Sequence, residues 1–212
     1  ELAVRSLHWR LTVGRIVARQ QEALTPAAEL IVAFLDEKET AAIGRLFRLL
    51  HIIEPTQEFR IIYDGLRSAD AKSQASSREL LSHVVPAPLR DGILAMVDDL
   101  SPRKRLHNAL AFYDPPGRAR VEAVFKRLRE SSDDAEALQE LGEVYAGVLG
   151  EMLADSSDGL RAVVSHHVEE LGLEGLTAGV EAARSERGEV SAEVAASVPA
   201  LFVTQPELSG AS

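Results

Sequence analysis

The side chains with chemistry to offer in this sequence are six histidines, two pairs of adjacent aspartates and several groups of arginines. The histidines are His8, His51, His83, His107, His166 and His167. A metal site on a helix needs two histidines at i and i+4, or a carboxylate companion, so that both ligands leave one face. Neither His-x3-His nor His-Glu-x2-His occurs. His166 and His167 are adjacent, point about 100° apart on a helix and cannot share an ion from one face. His167 continues the apolar stripe of Val163, Val164 and Leu171, and is expected in the core. Asp98-Asp99 and Asp133-Asp134 are paired carboxylates. General acid–base work needs two carboxylates facing one cleft with separated pKa values. These pairs fall at expected turns, where aspartate caps helices. The sequence has no Gly-x-Ser-x-Gly, no phosphate-binding loop and no Gly-x-Gly-x2-Gly. It has no cysteine, which excludes disulfides, thiolate metal sites and cysteine nucleophiles. The expectation is a non-enzyme without metal or cofactor.

The arginines suggest contacts instead. Arg5, Arg10, Arg15 and Arg19 run along the first helix beside Trp9. That helix reads as a membrane-surface element, or as a cap over the first repeat with Val4, Leu7 and Leu11 inward. Arg103-Lys104-Arg105 opens a helix, where positive charge opposes the dipole and hints at a partner carboxylate or phosphate. Arg118, Arg120, Lys126, Arg127 and Arg129 form a further basic strip. The net charge is −10 over 212 residues and unevenly spread. Residues 1–130 hold 20 Lys+Arg against 17 Asp+Glu, and residues 131–212 hold 3 against 16. An acidic balance disfavours nucleic acid, because phosphates are met by positive charge.

The elements that position these groups are helical. Alanine, leucine, arginine and glutamate dominate, all strong helix formers. Ile43, Leu46, Phe47 and Leu50 fall at helical spacing, as do Phe59, Ile62, Tyr63 and Leu66, and Val121, Val124, Phe125 and Leu128. Prolines at 26, 55, 86 and 115 punctuate the chain, and Thr25 before Pro26 is an expected N-cap. Ile31, Ile62, Ile93 and Val124 are each 31 residues apart, as are Leu35, Leu66, Val97 and Leu128. A fixed period of this size predicts stacked helix pairs. The pairs are placed at 26–38 with 40–53, 56–67 with 70–84, 87–98 with 102–113, and 118–130 with 134–153. Helix 158–171 follows. The fold class expected is all-α, an α-solenoid of 10–12 helices over residues 1–187. Residues 1–24 form its capping helix, 26–171 its repeats and 172–187 its last helix. Residues 188–212 are expected as a mostly irregular tail, in which Leu201-Phe202-Val203 is apolar. The rival architecture is a helical bundle.

The run Leu153-Ala154-Asp155-Ser156-Ser157-Asp158-Gly159-Leu160-Arg161-Ala162 resembles the turn and second-helix start of the HEAT-repeat class, with Arg161 at the usual arginine and Arg103 or Arg105 standing there in the third copy. The period is shorter than the usual HEAT unit. A closer likeness covers about residues 26–110. It comprises Leu35-Asp36-Glu37-Lys38 with Arg45 to Leu50, Ile62 to Ser68, Arg78-Glu79-Leu80-Leu81, and Pro86 to Asp99. These resemble the soluble HEAT-like region of bacterial nucleotide-translocase-like and major-facilitator-like carriers. Ser76-Ser77 depart from the alanine that family carries ahead of Glu-Leu-Leu. The resemblance implies a cytoplasmic helical module beside a membrane domain and supplies no catalytic residue. A chain that begins Glu1-Leu2-Ala3, without an initiator Met, fits a piece of such a parent.

The expected function is therefore a non-catalytic protein–protein interaction or scaffold module. Its partner is a protein or a neighbouring domain of the same parent, not nucleic acid. Arg45, Arg48, Arg78, Arg103 and Arg105 are the candidate contacts. The alternatives are a nucleotide or small-ligand sensing domain using the basic strip, and a DNA-binding helical repeat.

Overall fold

Each helix start has a local cause. Thr25 accepts from the Ala28 amide and Pro26 fills the first turn, so α2 (Pro26–Ile53) begins there. Asp70 accepts from the Lys72 and Ser73 amides to start α4 (Ala71–Val84). Asp134 accepts from Ala137 to start α8 (Ala135–Leu153), and Ser157 from Leu160 to start α9 (Asp158–Glu170). The remaining elements are α1 (Leu2–Arg19), α3 (Phe59–Leu66), α5 (Ala87–Val97), α6 (Pro102–Ala109) and α7 (Arg118–Glu130). The end of α9 is closed by Gly172 at φ +63°, with the Leu173 amide donating to Val168 and the Gly172 amide to Glu169. A left-handed residue there costs glycine nothing. A 3₁₀ turn (Glu174–Leu176) and a helix over 177–185 follow. These positions come from a computed structural model that describes residues 1–19 and 25–185. Among the described residues the fold is all-helical, with no strand. The expected tail at 188–212 lies outside them.

The hairpins α3–α4, α5–α6 and α7–α8 match the expected pairs, and each packs on itself. In the first of these Gly65 allows the closest approach, since a Cβ there would lie 2.0 Å from Ser77 Oγ. The first expected pair is different. No turn interrupts residues 36–40, and α2 is one helix of 28 residues. Asp36, Lys38 and Glu39, around the expected join of 26–38 and 40–53, are instead the α2 ends of ion pairs to Arg10, Asp155 and Arg105. Without a glycine or proline there, nothing stops the helix.

The 31-residue register marks core positions. Ile31, Leu35, Ile62, Leu66, Ile93, Val124 and Leu128 are all buried, and Val97 packs beside them. They do not line one continuous core. Ile31, Leu35, Val124 and Leu128 belong to one cluster, with residues of α1, α2, α7, α8 and α9. Ile62, Leu66 and Ile93 belong to a second, with residues of α1 through α6. The first and fourth copies thus share a core, and the second and third share the other. α2 packs on α9 and α1 on α8, so the two ends of the described chain meet. An open array, in which each pair touches its sequence neighbours alone, does not by itself account for those contacts.

α1 joins the two clusters. Val4 and Leu7 lie in one, Trp9, Val13 and Ile16 in the other. At about 100° per residue these are two apolar stripes on nearly opposite faces. α1 is therefore a strut between two cores, where the sequence reading made it an end cap.

Candidate functional site

Two buried carboxylates fasten the strut. Glu39 in α2, 3% exposed, accepts from Arg10 of α1 at 2.8 Å and from Arg105 of α6 at 2.6 Å. Arg105 also donates to the Met96 carbonyl at 2.9 Å. Asp155, in the α8–α9 turn, meets Arg5 of α1 and Lys38 of α2 and accepts from the Ser157 amide. Charged groups with such low exposure persist where they are paired and hydrogen-bonded.

The five arginines expected to form one binding face do not converge. Arg105 is committed to Glu39 inside the fold. Arg78 is paired with Asp98 at 2.7 Å. Arg45 stands at the edge of an apolar groove, Arg48 at a depression beside His51 and Tyr63, and Arg103 at a separate basic cleft. The basic strip of α7 is likewise split. Arg120 is held by Glu140 and Glu143, and Arg127 by Asp134, Glu136 and Glu140. Arg118 and Arg129 face the cleft.

The apolar groove runs between α2 and α5–α6, with the start of α1 at its floor. Leu46, Leu49, Pro88, Leu89, Phe112 and Tyr113 are among its walls, around about 610 Å³. Leu49 and Phe112 are 56% and 49% exposed, and Leu2 and Leu89, also in the groove, are more than one-third exposed. Exposed apolar side chains are ordinary singly; gathered in one groove they mark an interaction site. Arg45 and Arg48 have no ion pair among the described residues.

The basic cleft lies between α1, α6 and α7 and encloses about 330 Å³. Arg15, Arg103, Arg118 and Arg129 reach it, with Glu122 the one carboxylate in its lining. Arg15 lies over the Phe125 ring, 3.6 Å from its centroid, and pairs with Glu122. Arg118 donates to Asp114 through Nε and Nη2. His8 contributes a buried ring whose Nε2 has no partner among the described residues. Burial, reinforced by Arg118, lowers its pKa to about 4, so the imidazole is neutral at pH 7. Arg15 and His8 were not singled out as a pair by the sequence reading. They are seven residues apart, two helical turns, on the same face of α1.

His167 and the Asp133-Asp134 pair are engaged within the fold. His167 is in the core as expected, with Nε2 2.6 Å from the Tyr145 hydroxyl and Nδ1 2.8 Å from Thr25 Oγ1. Burial lowers its pKa and pushes Tyr145 up to about 12. Asp134 caps α8 and Asp133 bonds Ser131, so this pair does not face a shared cleft. Among the described residues, no group of three or more His, Asp or Glu side chains gathers as a metal site. Among them, too, no helix is long and apolar enough to cross a membrane.

The chain matches no family model, no curated protein and no solved structure.

Proposed function

We propose that the protein is a non-catalytic interaction module that holds an amphipathic helix of a protein partner in the groove between α2 and α5–α6. The observation that carries this reading is the gathering of Leu2, Leu49, Leu89 and Phe112, all substantially exposed, into one groove. A helix laid there buries its apolar i, i+3, i+4 and i+7 positions, the usual mode for helical grooves. Carboxylates on its edge meet Arg45, which has no ion pair among the described residues. The parent is a larger membrane-associated transporter-like or regulatory protein, and the module stands on its cytoplasmic side. This part rests on the likeness of residues 26–110 to the HEAT-like region of such carriers. The three hairpins α3–α4, α5–α6 and α7–α8 support a HEAT-like ancestry for the helix pairs.

Photocrosslinking tests the groove. A benzoylphenylalanine at Phe112 in the groove is compared with one at Leu138, an exposed leucine outside it. The expected result, in extract of the source cells, is one discrete adduct from position 112. Mass mapping should place it on an apolar helical segment flanked by acidic residues. Leu49→Asp with Leu89→Asp should reduce the adduct at least tenfold and leave the melting temperature nearly unchanged, because both side chains are exposed. An equal adduct from position 138, or a crosslink to the chain itself, contradicts the proposal.

A further inference from the structure

Arg103 and Arg129, like Arg45 and Arg48, make no ion pair among the described residues, but the first two share one cleft. The chain carries an excess of ten negative charges. It uses them to neutralise the arginines at its helix seams. Arg5, Arg10, Arg105, Arg120 and Arg127 all have carboxylate partners. In the cleft between α1, α6 and α7 this fails. Four guanidinium groups face one lining carboxylate, Glu122, with Asp114 behind Arg118 as the second acid. Arg103 and Arg129 make no ion pair or hydrogen bond among the described residues. They act on Arg15 strongly enough that, after burial, their repulsion helps to lower its pKa. Positive charge is thus concentrated in a concave site with low-dielectric walls, the arrangement that focuses a field on a small anion.

The site is also built in advance. Arg15 is fixed by the Phe125 face and Glu122, and Arg118 by Asp114. These two are walls, while Arg103 and Arg129 are free to close. α6 adds its own partial positive charge, because it starts without a capping bond from Ser101. His8 adds a buried, neutral nitrogen without a partner. Such a group costs stability unless a ligand or water completes it. A space of about 330 Å³ lies at the small end of ligand pockets. It suits a compact ligand, not a chain.

We propose that this cleft binds a small phosphate-bearing molecule, with Arg15, Arg103, Arg118 and Arg129 on its phosphate oxygens. Guanidinium forks match phosphate oxygens two at a time, and four of them match a multiply charged group better than a single carboxylate. The net acidity of the chain turns extended polyanions such as nucleic acid away. The site is independent of the groove proposed above. Its residues and its test are separate.

Calorimetric titration of the whole chain with sodium pyrophosphate at low salt is the test, with inorganic phosphate and citrate as the comparison anions. The expected result is saturable binding of pyrophosphate that weakens as salt is raised. Arg103→Ala with Arg129→Ala should weaken it at least tenfold. The unliganded variant should melt at the wild-type temperature, because neither side chain has a partner among the described residues. Arg45→Ala with Arg48→Ala should leave the affinity unchanged. Amide resonance shifts on pyrophosphate addition should cluster on α1, α6 and α7. The proposal is overturned if wild type does not bind pyrophosphate, if the Arg103/Arg129 variant binds it equally well, or if citrate binds as tightly as pyrophosphate.

Discussion

Replacing Glu39 by alanine is expected to destabilise the protein by about 3–5 kcal/mol, measured as a lowered urea midpoint with an unchanged slope. The side chain is 4% exposed and lies between Arg10 and Arg105, which are 17% and 18% exposed. Removing it leaves Arg105 without a carboxylate and Arg10 with only the exposed Asp36. The same low dielectric that makes a paired charge tolerable makes an unpaired one costly. Arg105→Met in the wild-type background should also destabilise. In the Glu39→Ala background the same change should cost much less, because the orphaned charge of Arg105 is then gone. That non-additivity is the mark of a direct pair. It also separates a latch from a contact surface: Arg105→Met should act on stability and leave pyrophosphate binding to the remaining arginines. A cost below about 1 kcal/mol for Glu39→Ala would be the value of a surface pair and would show that the latch is not formed.

Trp9→Ala should cost a similar amount, about 3–5 kcal/mol. Trp9 is 1% exposed, in the cluster that also draws on α2, α7, α8 and α9, and its Nε1–H donates to Glu151 at 2.9 Å. The alanine variant loses the ring, leaves a cavity and strands one acceptor. Trp9→Phe keeps most of the ring and loses the hydrogen bond, so its cost should be about 1–2 kcal/mol. Circular dichroism at 222 nm during urea unfolding suits both variants, since Trp9 is the single tryptophan and its fluorescence disappears with it. A surface tryptophan on an end cap would cost under about 1 kcal/mol when removed. That result would return α1 to the outside of the fold.

How far the sequence could be read is clear from particular residues. The hairpins were legible because Asp70, Asp134, Ser157 and Pro102 mark helix starts by local rules, which need no knowledge of the tertiary fold. The 31-residue register was legible as burial, because apolar spacing reports which face is covered. It does not report what covers it, so copies that share a core looked the same as copies stacked in a row. The helix join expected between 26–38 and 40–53 is absent for a related reason. A charged run in a helix resembles a turn until its partners are known, and these partners lie on α1, α6 and the α8–α9 turn. α1 carried a signal that was passed over: Trp9, Val13 and Ile16 form a second stripe opposite Val4 and Leu7. A helix with two apolar stripes is buried on both sides. Of the binding residues, Arg103 was legible from the misfit of positive charge at a helix start. Arg15 and His8 were not, because the cleft exists only once α1 lies against α6 and α7. Arg78 and Arg105 were read as contacts because sequence does not reveal that Asp98 and Glu39 are waiting for them.

The two ends of the described chain meet around α1, and the groove and the cleft are both built on that strut. The absence of cysteine lets two spin labels be placed without background. Labels at Glu37→Cys in α2 and Ala154→Cys at the end of α8 flank the contact between Lys38 and Asp155, and both native side chains are exposed. Pulsed dipolar spectroscopy should then give one narrow distance distribution below about 25 Å, as expected when adjacent helices lie 8–10 Å apart. In an open array the first and fourth helix pairs are three layers apart, roughly 30 Å between axes by the same spacing. A distribution centred at or beyond that separation would contradict the closed arrangement and both binding surfaces with it.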